Sequence, residues 1–415
     1  MLSAFSLQLS SFNAHHLKKR ILIFIDWFTP GYKAGGPVSS NTNMIAHLGE
    51  EFQFLVVTRN TDYTESTPYS AIIPNTWTKQ EGFEGFYIDK AALHYSSLKK
   101  LFRETGYDMV YVNGIYSWYF SILPLWFARK YKKQLVVCSR GMLSAHALGV
   151  KSLKKNIFIG LTKMLGFYNQ VVFHATNQEE ALAIQKLLGN KTNVQIAPNL
   201  PRKAPKLFLS REKNPGQINL ASVARISPEK NTLFAIEAIR KYALKHLAQS
   251  SENNFLEKVH VNFDLYGPVY DQEYWKQCQE VIKCLPSQVR VNYRGSIAPE
   301  KLGDVFENAH FLLMPSQGEN FGHTILESLQ HGCPVIISDR TPWRGLQQIA
   351  SVNGSVGWDL SLEQPEKFTE VLESCISMDQ EEYSAMSLRA FNYAKTITED
   401  IAVVEANRRL FEGKG

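Results

Sequence analysis

The sequence predicts an α/β protein with two doubly wound domains, each built on a parallel sheet with helices on both faces. Short apolar runs of strand length alternate with helical segments along most of the 415 residues, and that alternation is typical of parallel sheets. A segment with three prolines in ten residues, 197–206, interrupts the pattern near the middle of the chain. Its composition indicates a linker, and each flanking part has the length of an ordinary domain.

The first part contains apolar runs that we interpret as strands buried on both faces of a sheet. They span 21–25, 52–57, 109–112, 135–138, 171–174 and 193–196. The Gly-rich loop 26–37 and a predicted helix over 39–48 follow the first of these strands. This order is typical of a phosphate-binding turn, although glycines before a helix also occur as simple turn chemistry.

The second part repeats the arrangement, with strands predicted at 218–223, 260–266, 289–293, 311–314 and 335–338. We therefore expect a Rossmann-like N-terminal domain over 1–200 and a Rossmann-like C-terminal domain over 201–385. The remaining helical segment, 386–415, has no strand left to cover and is expected to pack back towards the first domain. Two such domains place a cleft between the carboxyl ends of their sheets, where open α/β sheets bind ligands.

Composition excludes several classes of protein. The 45 Lys and Arg residues exceed the 39 Asp and Glu residues only slightly, which does not indicate nucleic-acid binding. The five cysteines lack C-x-x-C spacing, so they predict neither a zinc site nor a disulfide framework, and they fit a reducing cytoplasm. No apolar run reaches the length of about 18 residues that spans a membrane, and residues 1–17 lack the early positive charge of a secretory signal.

The basic and aromatic stretch 151–168 leaves two interpretations open. Apolar side chains fall near one face of a predicted helix in this stretch, and four lysines surround them: Lys151, Lys154, Lys155 and Lys163. The helix is either a solvated element with its apolar stripe against the core, or an element that contacts an anionic membrane. The second interpretation would bring a cytoplasmic protein to the inner face of the plasma membrane.

The stretch 314–339 carries the clearest chemical pattern of the chain. It reads as the end of a strand, a Gly-bracketed loop, a short helix and a second strand, with Glu319 and Glu327 eight positions apart. Gly318 and Gly322 interrupt the helical periodicity, so we expect Glu319 in the loop and Glu327 on a helix that begins near residue 323 or 324 and closes before residue 332. The free amides at the start of that helix favour an anion, which predicts a phosphate-bearing ligand.

Further residues lie at predicted strand ends that face the cleft. Arg225 and Lys230 surround Pro228, which suits the first turn of a helix. Two cations near a helix start are explained by an anion held between them, or else by two surface cations on a loop. Gly267 follows a strand and would permit close approach of a ligand to the backbone. Arg140 follows the strand over 135–138 at the ligand-facing end of the first sheet.

The segments GYKAGGP, SRGML, VARISPEKN, LYGP and GENFGHTILESLQHGCPVIISD together resemble the retaining GT-B glycosyltransferases of family 4. That group builds capsule, exopolysaccharide and lipopolysaccharide sugars. The resemblance runs from about residue 21 to about residue 345 and is densest in the second domain. The pair of glutamates in E-x7-E is its most specific motif, and the Gly-Gly loop is less specific.

The resemblance implies a role for each matching residue. Arg225 and Lys230 would neutralise the diphosphate of the donor, Glu319 would lie beside the transferred sugar, and Glu327 would accept hydrogen bonds from the ribose. The donor site would be completed by Gly35 and Gly36 of the first domain, by Gly267, and by the loop and helix start at Asn320, Phe321, Gly322, His323 and Thr324.

The acceptor side departs from the pattern of the family. Many relatives have a histidine after the strand over 135–138, where this chain has Arg140. Arg140 and His174 are therefore the residues that we expect on the acceptor side. The alternative for His174 is a histidine held by hydrogen bonds at a strand end.

The function implied by the resemblance is retaining transfer of a sugar from a nucleotide sugar, most often UDP-linked, to a hydroxyl of a growing and lipid-linked glycan. The sequence contains no Asp-x-Asp motif, so neither a metal nor another cofactor is expected. Retention could follow a double displacement at Glu319 or same-face attack assisted by the leaving phosphate, and the second is favoured. Two other functions stay open: a GT-B nucleotide-sugar epimerase that acts without an acceptor, and a non-catalytic scaffold that binds nucleotide without turnover.

Overall fold

The computed structural model describes residues 18–143, 152–164, 166–203, 205, 207–249 and 259–413. Within the helices at 152–156, 161 and 247–249 it describes the backbone alone. Two sheets organise these residues, one on each side of the segment 197–216. Their architecture confirms the predicted α/β fold with two parallel-sheet, Rossmann-like domains.

The first sheet has eight strands among the described residues, and only its edge strand β3 runs antiparallel to its neighbour. The strands are β1 Lys19–Phe24, β2 Phe52–Arg59, β3 Trp77–Gln80, β4 Phe83–Ile88, β5 Met109–Asn113, β6 Gln134–Cys138, β7 Val172–Ala175 and β8 Asn193–Ile196. Their spatial order is β3-β4-β2-β1-β5-β6-β7-β8. The hairpin of β3 and β4 was not predicted, because β3 is a polar edge strand and β4 alternates between buried and half-buried positions.

The helices of the first domain lie between these strands. They are α1 Gly36–Leu48, α2 Tyr95–Glu104, α3 Leu123–Lys130, α4 Ser152–Met164 and α5 Gln178–Leu188. Helix α1 begins three residues before its predicted start, with Gly35 as its N-terminal cap at φ 73° and Pro37 in its first turn. Proline suits this position because its amide would have no partner within the helix.

The second sheet is parallel throughout the described residues, in the order β11-β10-β9-β12-β13-β14. The strands are β9 Gln217–Val223, β10 His260–Tyr266, β11 Val289–Gly295, β12 Phe311–Met314, β13 Val335–Ser338 and β14 Gly357–Leu360. The helices are α6 Thr232–Gln249, α7 Gln272–Lys283, α8 Leu302–Asn308, α9 His323–Gln330, α10 Pro365–Ser377, α11 Gln380–Thr398 and α12 Ile401–Glu412. Strand β14 was not predicted, because it is short and includes a charged residue.

Each sheet separates two apolar cores, one on either face. In β1, Leu22 and Phe24 belong to one core while Ile21 and Ile23 belong to the other. Successive side chains of a strand point to opposite faces, so a strand covered on both sides is apolar at every position. This is the physical reason that continuous apolar runs identified the strands.

The C-terminal segment 386–415 is divided at residues 399–400. Helix α11 begins earlier, at Gln380, and lies in the second domain, where Ala390 and Ala394 belong to the same core as α9. Helix α12 alone reaches the first domain, where Phe411 packs against Phe52 and Phe54. The chain therefore passes between the domains twice, once through the linker and once through the turn between α11 and α12.

Candidate functional site

The carboxyl ends of the two sheets meet across the cleft, where side chains of the two domains touch. Ser40 on α1 forms a hydrogen bond with Nε2 of His323 on α9 at 2.8 Å. Tyr270 of the second domain donates its hydroxyl to the carbonyl of Lys33 at 2.9 Å. These contacts bring the Gly-rich loop of the first domain beside the E-x7-E segment.

The E-x7-E segment adopts the arrangement that its glycines predict. Glu319 lies in the loop after β12, and α9 begins at His323, so Glu327 lies on the helix. Gly322 has φ 80°, and a Cβ atom there would lie 2.8 Å from the side chain of Ile325. Trp343 donates its indole N–H to the carbonyl of Phe321 at 2.6 Å. The loop is therefore held in one conformation at the start of the helix.

Glu319 and Lys230 form an ion pair inside the cleft. The Lys230 ammonium lies 2.7 Å from Oε1 of Glu319, and the side chains are only 11% and 13% exposed. The hydroxyl of Ser316 donates to the same carboxylate oxygen at 2.9 Å. Because a charge-assisted hydrogen bond in a shielded position is strong and geometrically defined, this pair fixes the carboxylate of Glu319 beside the helix start.

Lys230 lies on a short 3-10 turn rather than in the long helix. The turn covers Pro228–Lys230, Asn231 follows at φ 57° in the left-handed region, and α6 begins only at Thr232. Pro228 lies in the first turn of a helix, as expected, but that helix is this short 3-10 turn and not α6. The left-handed residue separates the turn from α6, and Lys230 at the end of the turn reaches Glu319.

Arg225 lies on the same side of the cleft but is more exposed than Lys230. Its guanidinium lies 4.8 Å from the ring centre of Tyr270 and 3.4 Å from a carboxylate oxygen of Glu229. Tyr270 also stacks on Tyr63 of the first domain, with 5.3 Å between ring centres. Tyr270 thus connects the Arg225 loop with the Gly-rich loop of the first domain.

Gly267 has a structural reason for being glycine that the sequence did not reveal. Its φ is 139°, and a Cβ atom there would lie 2.0 Å from the carbonyl oxygen of Ala224. The close approach is made by the chain itself, next to Arg225, and it accounts for the glycine without a ligand. Gly35 also has a backbone reason, since its φ is 73°, whereas Gly36 has none. A Cβ atom at either position would meet no atom within 4 Å.

His323 provides an uncharged ring at the contact between the domains. Burial, followed by the nearby positive charge of Arg140, lowers its pKa to about 3. The ring is therefore neutral at physiological pH, and its Nε2 is engaged by Ser40. The residues Phe321, Gly322, His323 and Thr324 are all half-buried at the start of α9, where backbone amides favour an anion.

Glu327 is buried on α9 in a way that disfavours its charge. Burial raises its pKa to about 7, opposed in part by the charge of Arg202. Within the described part of the chain, no residue donates a hydrogen bond to its carboxylate. Since buried carboxylates normally have donors, this group is suited to accept hydrogen bonds from a bound molecule.

Arg140 is held at the end of β6 by neutral oxygens. Its Nε donates to Oδ1 of Asn113 at 2.6 Å, and its Nη1 donates to Oδ1 of Asn199 at 2.8 Å. Its Nη2 lies 3.4 Å from the hydroxyl of Tyr111. The residue itself has φ 51°, in the left-handed region that side chains rarely adopt.

His174 lies beneath Arg140, and Tyr111 contacts both residues. Its ring is buried, with Nδ1 2.9 Å from the Tyr111 hydroxyl and Nε2 2.8 Å from the carbonyl of Ala197. Both ring nitrogens are thus engaged within the first domain. The geometry favours the alternative interpretation, a histidine held by hydrogen bonds at a strand end.

Asn320 and Gly141 connect the E-x7-E loop to the Arg140 loop. A Cβ atom at Gly141 would lie 3.3 Å from Oδ1 of Asn320, and Nδ2 of Asn320 lies 3.4 Å from the hydroxyl of Thr176. Buried Glu180 holds this loop, accepting hydrogen bonds from Gly141 N at 2.6 Å and from the Thr176 hydroxyl at 2.7 Å. Burial alone would raise the pKa of Glu180, but its hydrogen bonds outweigh burial and hold it below the usual value.

Sequence reasoning missed several residues that shape the site. They are Ser316, Tyr270, Trp343 and Glu180. Tyr270, Trp343 and Glu180 lie outside the motifs, and each contacts a partner that is remote in sequence. Ser316 lies within the stretch 314–339, but its contact with Glu319 depends on the folded loop. Glu180 offered one local signal, since it follows Asn177 at the spacing of a capped helix start.

The basic stretch 151–168 does form a helix, α4, over Ser152–Met164. The side chains of Ile157 and Met164 are exposed, whereas Lys151 and the side chains of Lys154 and Lys155 lie outside the described residues. Among the described helices, none has the length and apolar character needed to cross a membrane. Membrane contact by α4 stays a prediction.

Comparison with solved structures identifies the class of fold. Sucrose-phosphate synthase from Thermosynechococcus elongatus superposes with a TM-score of 0.65 at 14% identity, covering 95% of this chain and 98% of that one. WaaG, a glycosyltransferase involved in lipopolysaccharide biosynthesis, gives a TM-score of 0.62 at 14% identity over 95% and 98% of the chains. Anabaena HepE, solved with UDP and glucose, gives 0.60 at 16% identity with the same coverage. The chain has the GT-B fold.

Comparison with family models identifies the second domain more closely. Residues 203–391 match the family described as glycosyl transferases group 1. A search of curated proteins found no match. Residues 203–391 thus resemble glycosyl transferases group 1, within a chain that has the GT-B fold.

Proposed function

We propose that the protein is a retaining glycosyltransferase that moves a sugar from a nucleotide sugar to a hydroxyl group of a glycan. The observation that carries the proposal is the Lys230–Glu319 pair at 2.7 Å, set in the cleft at the start of α9. The match of residues 203–391 to glycosyl transferases group 1 supports it. So does the fold of Anabaena HepE, which has been solved with UDP-glucose and with UDP and glucose.

The reaction that we propose breaks the bond between the anomeric carbon and the diphosphate oxygen. Both bonding electrons leave with the diphosphate, so negative charge grows on the phosphate and positive charge grows on the sugar. Arg225, Lys230 and the amides at the start of α9 stabilise the phosphate charge, which is how preorganised donors lower such barriers. No step of this scheme requires a metal.

Glu319 stabilises the sugar in this scheme. Its carboxylate, fixed by Lys230 and Ser316, lies beside the sugar as positive charge develops there. The acceptor hydroxyl then attacks the face from which the diphosphate departs, and its proton passes to the departing phosphate oxygen. Atoms and charge balance, and the configuration of the anomeric carbon is retained.

Donor recognition divides between the two domains in the proposed complex. Glu327 accepts hydrogen bonds from the ribose, since its buried carboxylate has no described donor of its own. Gly35 and Gly36 approach the diphosphate from the first domain, where they leave room that a side chain would fill. We propose a UDP-linked donor and a cell-surface polysaccharide or lipid-linked glycan as acceptor, reached from the cytoplasmic face of the membrane.

The test compares the wild type with Glu319→Gln, which keeps the shape of the side chain and removes its charge. A panel of UDP-, GDP- and ADP-sugars is first screened by thermal shift, because a ligand at 100 times its Kd stabilises by about 2.7 kcal/mol. We expect Glu319→Gln to bind the selected nucleotide but to transfer sugar roughly 100-fold more slowly, since loss of one transition-state contact has effects of that order.

The matched control is Glu280→Gln, which alters a 69% exposed carboxylate on α7 and should transfer at close to the wild-type rate. Near-normal turnover by Glu319→Gln would refute the role of Glu319. A product with inverted anomeric configuration, measured by NMR, would refute retention. Conversion of the donor to an epimer without acceptor would instead establish an epimerase.

A further inference from the structure

Arg140 is a shielded cation in the cleft whose hydrogen-bond partners are all neutral. A guanidinium has five N–H groups, and Asn113, Asn199 and Tyr111 accept from three nitrogens of Arg140. One N–H on each Nη atom is left without an acceptor in the described part of the chain. Arg140 is half-buried, and among the described residues no carboxylate forms an ion pair with it, although cations held away from water are normally paired.

The carboxylate of Glu180, which acts on Arg140, is committed to other partners. Burial opposes the charge of Arg140, whereas Cys138, then Tyr111 and Glu180, favour that charge and together raise its pKa. The oxygens of Glu180 accept hydrogen bonds from Ser139, Gly141 and Thr176. Glu180 therefore fixes the loop that carries Arg140 without neutralising the guanidinium by a direct hydrogen bond. The cation keeps its capacity for a carboxylate partner.

The guanidinium is also preorganised. Its three partners come from two separate places, Tyr111 and Asn113 from β5 and Asn199 from the segment after β8. Tyr111 is in turn held by His174. A fork fixed in this way loses little conformational entropy when it binds a planar carboxylate with two parallel hydrogen bonds.

Arg140 lies at the proposed sugar site, so its guanidinium could bind a carboxylate there. Gly141 packs against Asn320, and the charge of Arg140 acts on His323, so Arg140 lies beside the loop between Glu319 and α9. Arg225 and Lys230 are held by other contacts, with Tyr270 and Glu319. Arg140 is therefore a separate cationic position from the pair assigned to the diphosphate.

We propose that Arg140 binds a carboxylate carried by a sugar substrate, so that the enzyme acts on an acidic sugar of the uronic acid class. The proposal rests on the proposed function, since it names the substrate class of the same cleft. The carboxylate belongs either to the transferred sugar or to the accepting sugar. Both sources present the same chemistry to the guanidinium.

The experiment measures transfer and binding with matched neutral and acidic sugars. One arm compares UDP-glucose with UDP-glucuronate and UDP-galactose with UDP-galacturonate as donors. The other arm compares methyl glucosides with methyl glucuronides as acceptors. Each is tested with the wild type, Arg140→Gln and Arg140→Lys, and with Arg129→Gln as the control, because Arg129 is an exposed arginine on α3.

We expect the wild type to prefer the acidic sugar in one arm, which identifies the source of the carboxylate. Arg140→Gln should lose roughly 100-fold in kcat/KM on that sugar, as expected for loss of a charge-assisted bidentate contact, and little on its neutral counterpart. Arg140→Lys should recover part of the loss. Arg129→Gln should match the wild type, and the affinity for UDP alone should be the same in all four proteins.

Three results would overturn the proposal. A wild type that prefers neutral sugars in both arms excludes an acidic substrate. Equal losses by Arg140→Gln on neutral and acidic sugars indicate a purely structural role. Weaker binding of UDP itself to Arg140→Gln assigns the guanidinium to the diphosphate.

Titration calorimetry measures binding of the acidic and neutral ligands without requiring transfer. It therefore tests the carboxylate site independently of the proposed function. If no transfer occurs with any sugar, the transferase proposal fails, while tighter binding of the acidic than the neutral ligand, lost in Arg140→Gln, would still support the carboxylate site. If transfer occurs without any discrimination by charge, the carboxylate proposal fails alone.

Discussion

At the scale of one residue, the burial that suits Glu327 for binding also lowers the free energy of unfolding when this carboxylate is ionised. Its pKa is raised by burial from 4.5 to about 7, so the folded protein holds a proton on this group that the unfolded chain releases between those two values. The contribution of the protonated Glu327 to the free energy of unfolding is fully present at low pH and is lost as pH rises through 7. A ribose that donates hydrogen bonds to the ionised carboxylate would recover part of that loss.

The variant Glu327→Gln tests this sign. Because glutamine does not ionise, the variant should gain stability relative to the wild type as pH rises from 5 to 8, by up to about 3 kcal/mol. Urea unfolding at several pH values measures the difference. Glu229→Gln, at an exposed position, should follow the wild-type curve, and parallel curves for Glu327→Gln and the wild type would contradict the argument.

At the scale of the secondary-structure element, hydrogen bonds hold helix α9 at both of its ends. At its start, Trp343 holds the carbonyl of Phe321. At its end, Arg211 is buried and donates to the carbonyls of His331 at 2.9 Å and of Gly332. A cation at a helix C-terminus is favourable because it meets the free carbonyls and the negative end of the helix dipole.

Arg211 also connects α9 to its neighbours. It donates to the carbonyl of Phe306 on α8 at 2.8 Å and to the hydroxyls of Tyr383 at 2.7 Å and Ser387 at 2.8 Å on α11. Removal of the guanidinium would leave buried carbonyls without a donor. The position of Glu327 thus depends on a residue that follows the interdomain linker.

We therefore expect Arg211→Met to destabilise the protein by about 3 kcal/mol, the order of magnitude for losing a buried charged hydrogen-bonding group. Thermal unfolding and affinity for the selected nucleotide should both decline. Arg240→Met removes a surface ion pair with Glu237 and should cost at most about 0.5 kcal/mol. Equal effects of the two variants would show that Arg211 does not fix α9.

At the scale of the whole molecule, α12 joins the two domains by supplying core to the first one. Phe411 packs against Phe52, Phe54 and Tyr111. Asn407 donates to the carbonyl of Pro198 at 2.8 Å, next to the linker. The first domain is therefore completed by the last helix of the chain, and the two connections between the domains lie side by side.

Phe411→Ala should destabilise the protein by about 3–5 kcal/mol, the usual range for a buried phenylalanine. The matched control on the same helix is Ile401→Ala, where the side chain is 79% exposed and the cost should stay within about 0.5 kcal/mol. Differential scanning calorimetry measures both. A small effect of Phe411→Ala would mean that α12 is not part of the first-domain core.

The sequence by itself determined the features that depend on local patterns. Strands buried on both faces are apolar at every position, so 21–25 and 311–314 identified strands of both sheets, and Gly318 and Gly322 separated the loop of Glu319 from the helix of Glu327. The polar edge strand β3 gave no such signal. Local sequence thus predicts the buried strands and the glycine-bounded loops, because burial and backbone conformation restrict which neighbouring residues can occur there.

Only the tertiary structure decided which of these residues meet. The Lys230–Glu319 pair joins two different crossovers, and Tyr270 reaches Lys33 in the other domain. His174 lies beneath Arg140 because parallel strands bring the ends of β6 and β7 together. These contacts follow from the order of the strands and from the approach of the two domains. Each contact involves a single side chain from each segment. The sequence therefore contains no repeating pattern that would predict it.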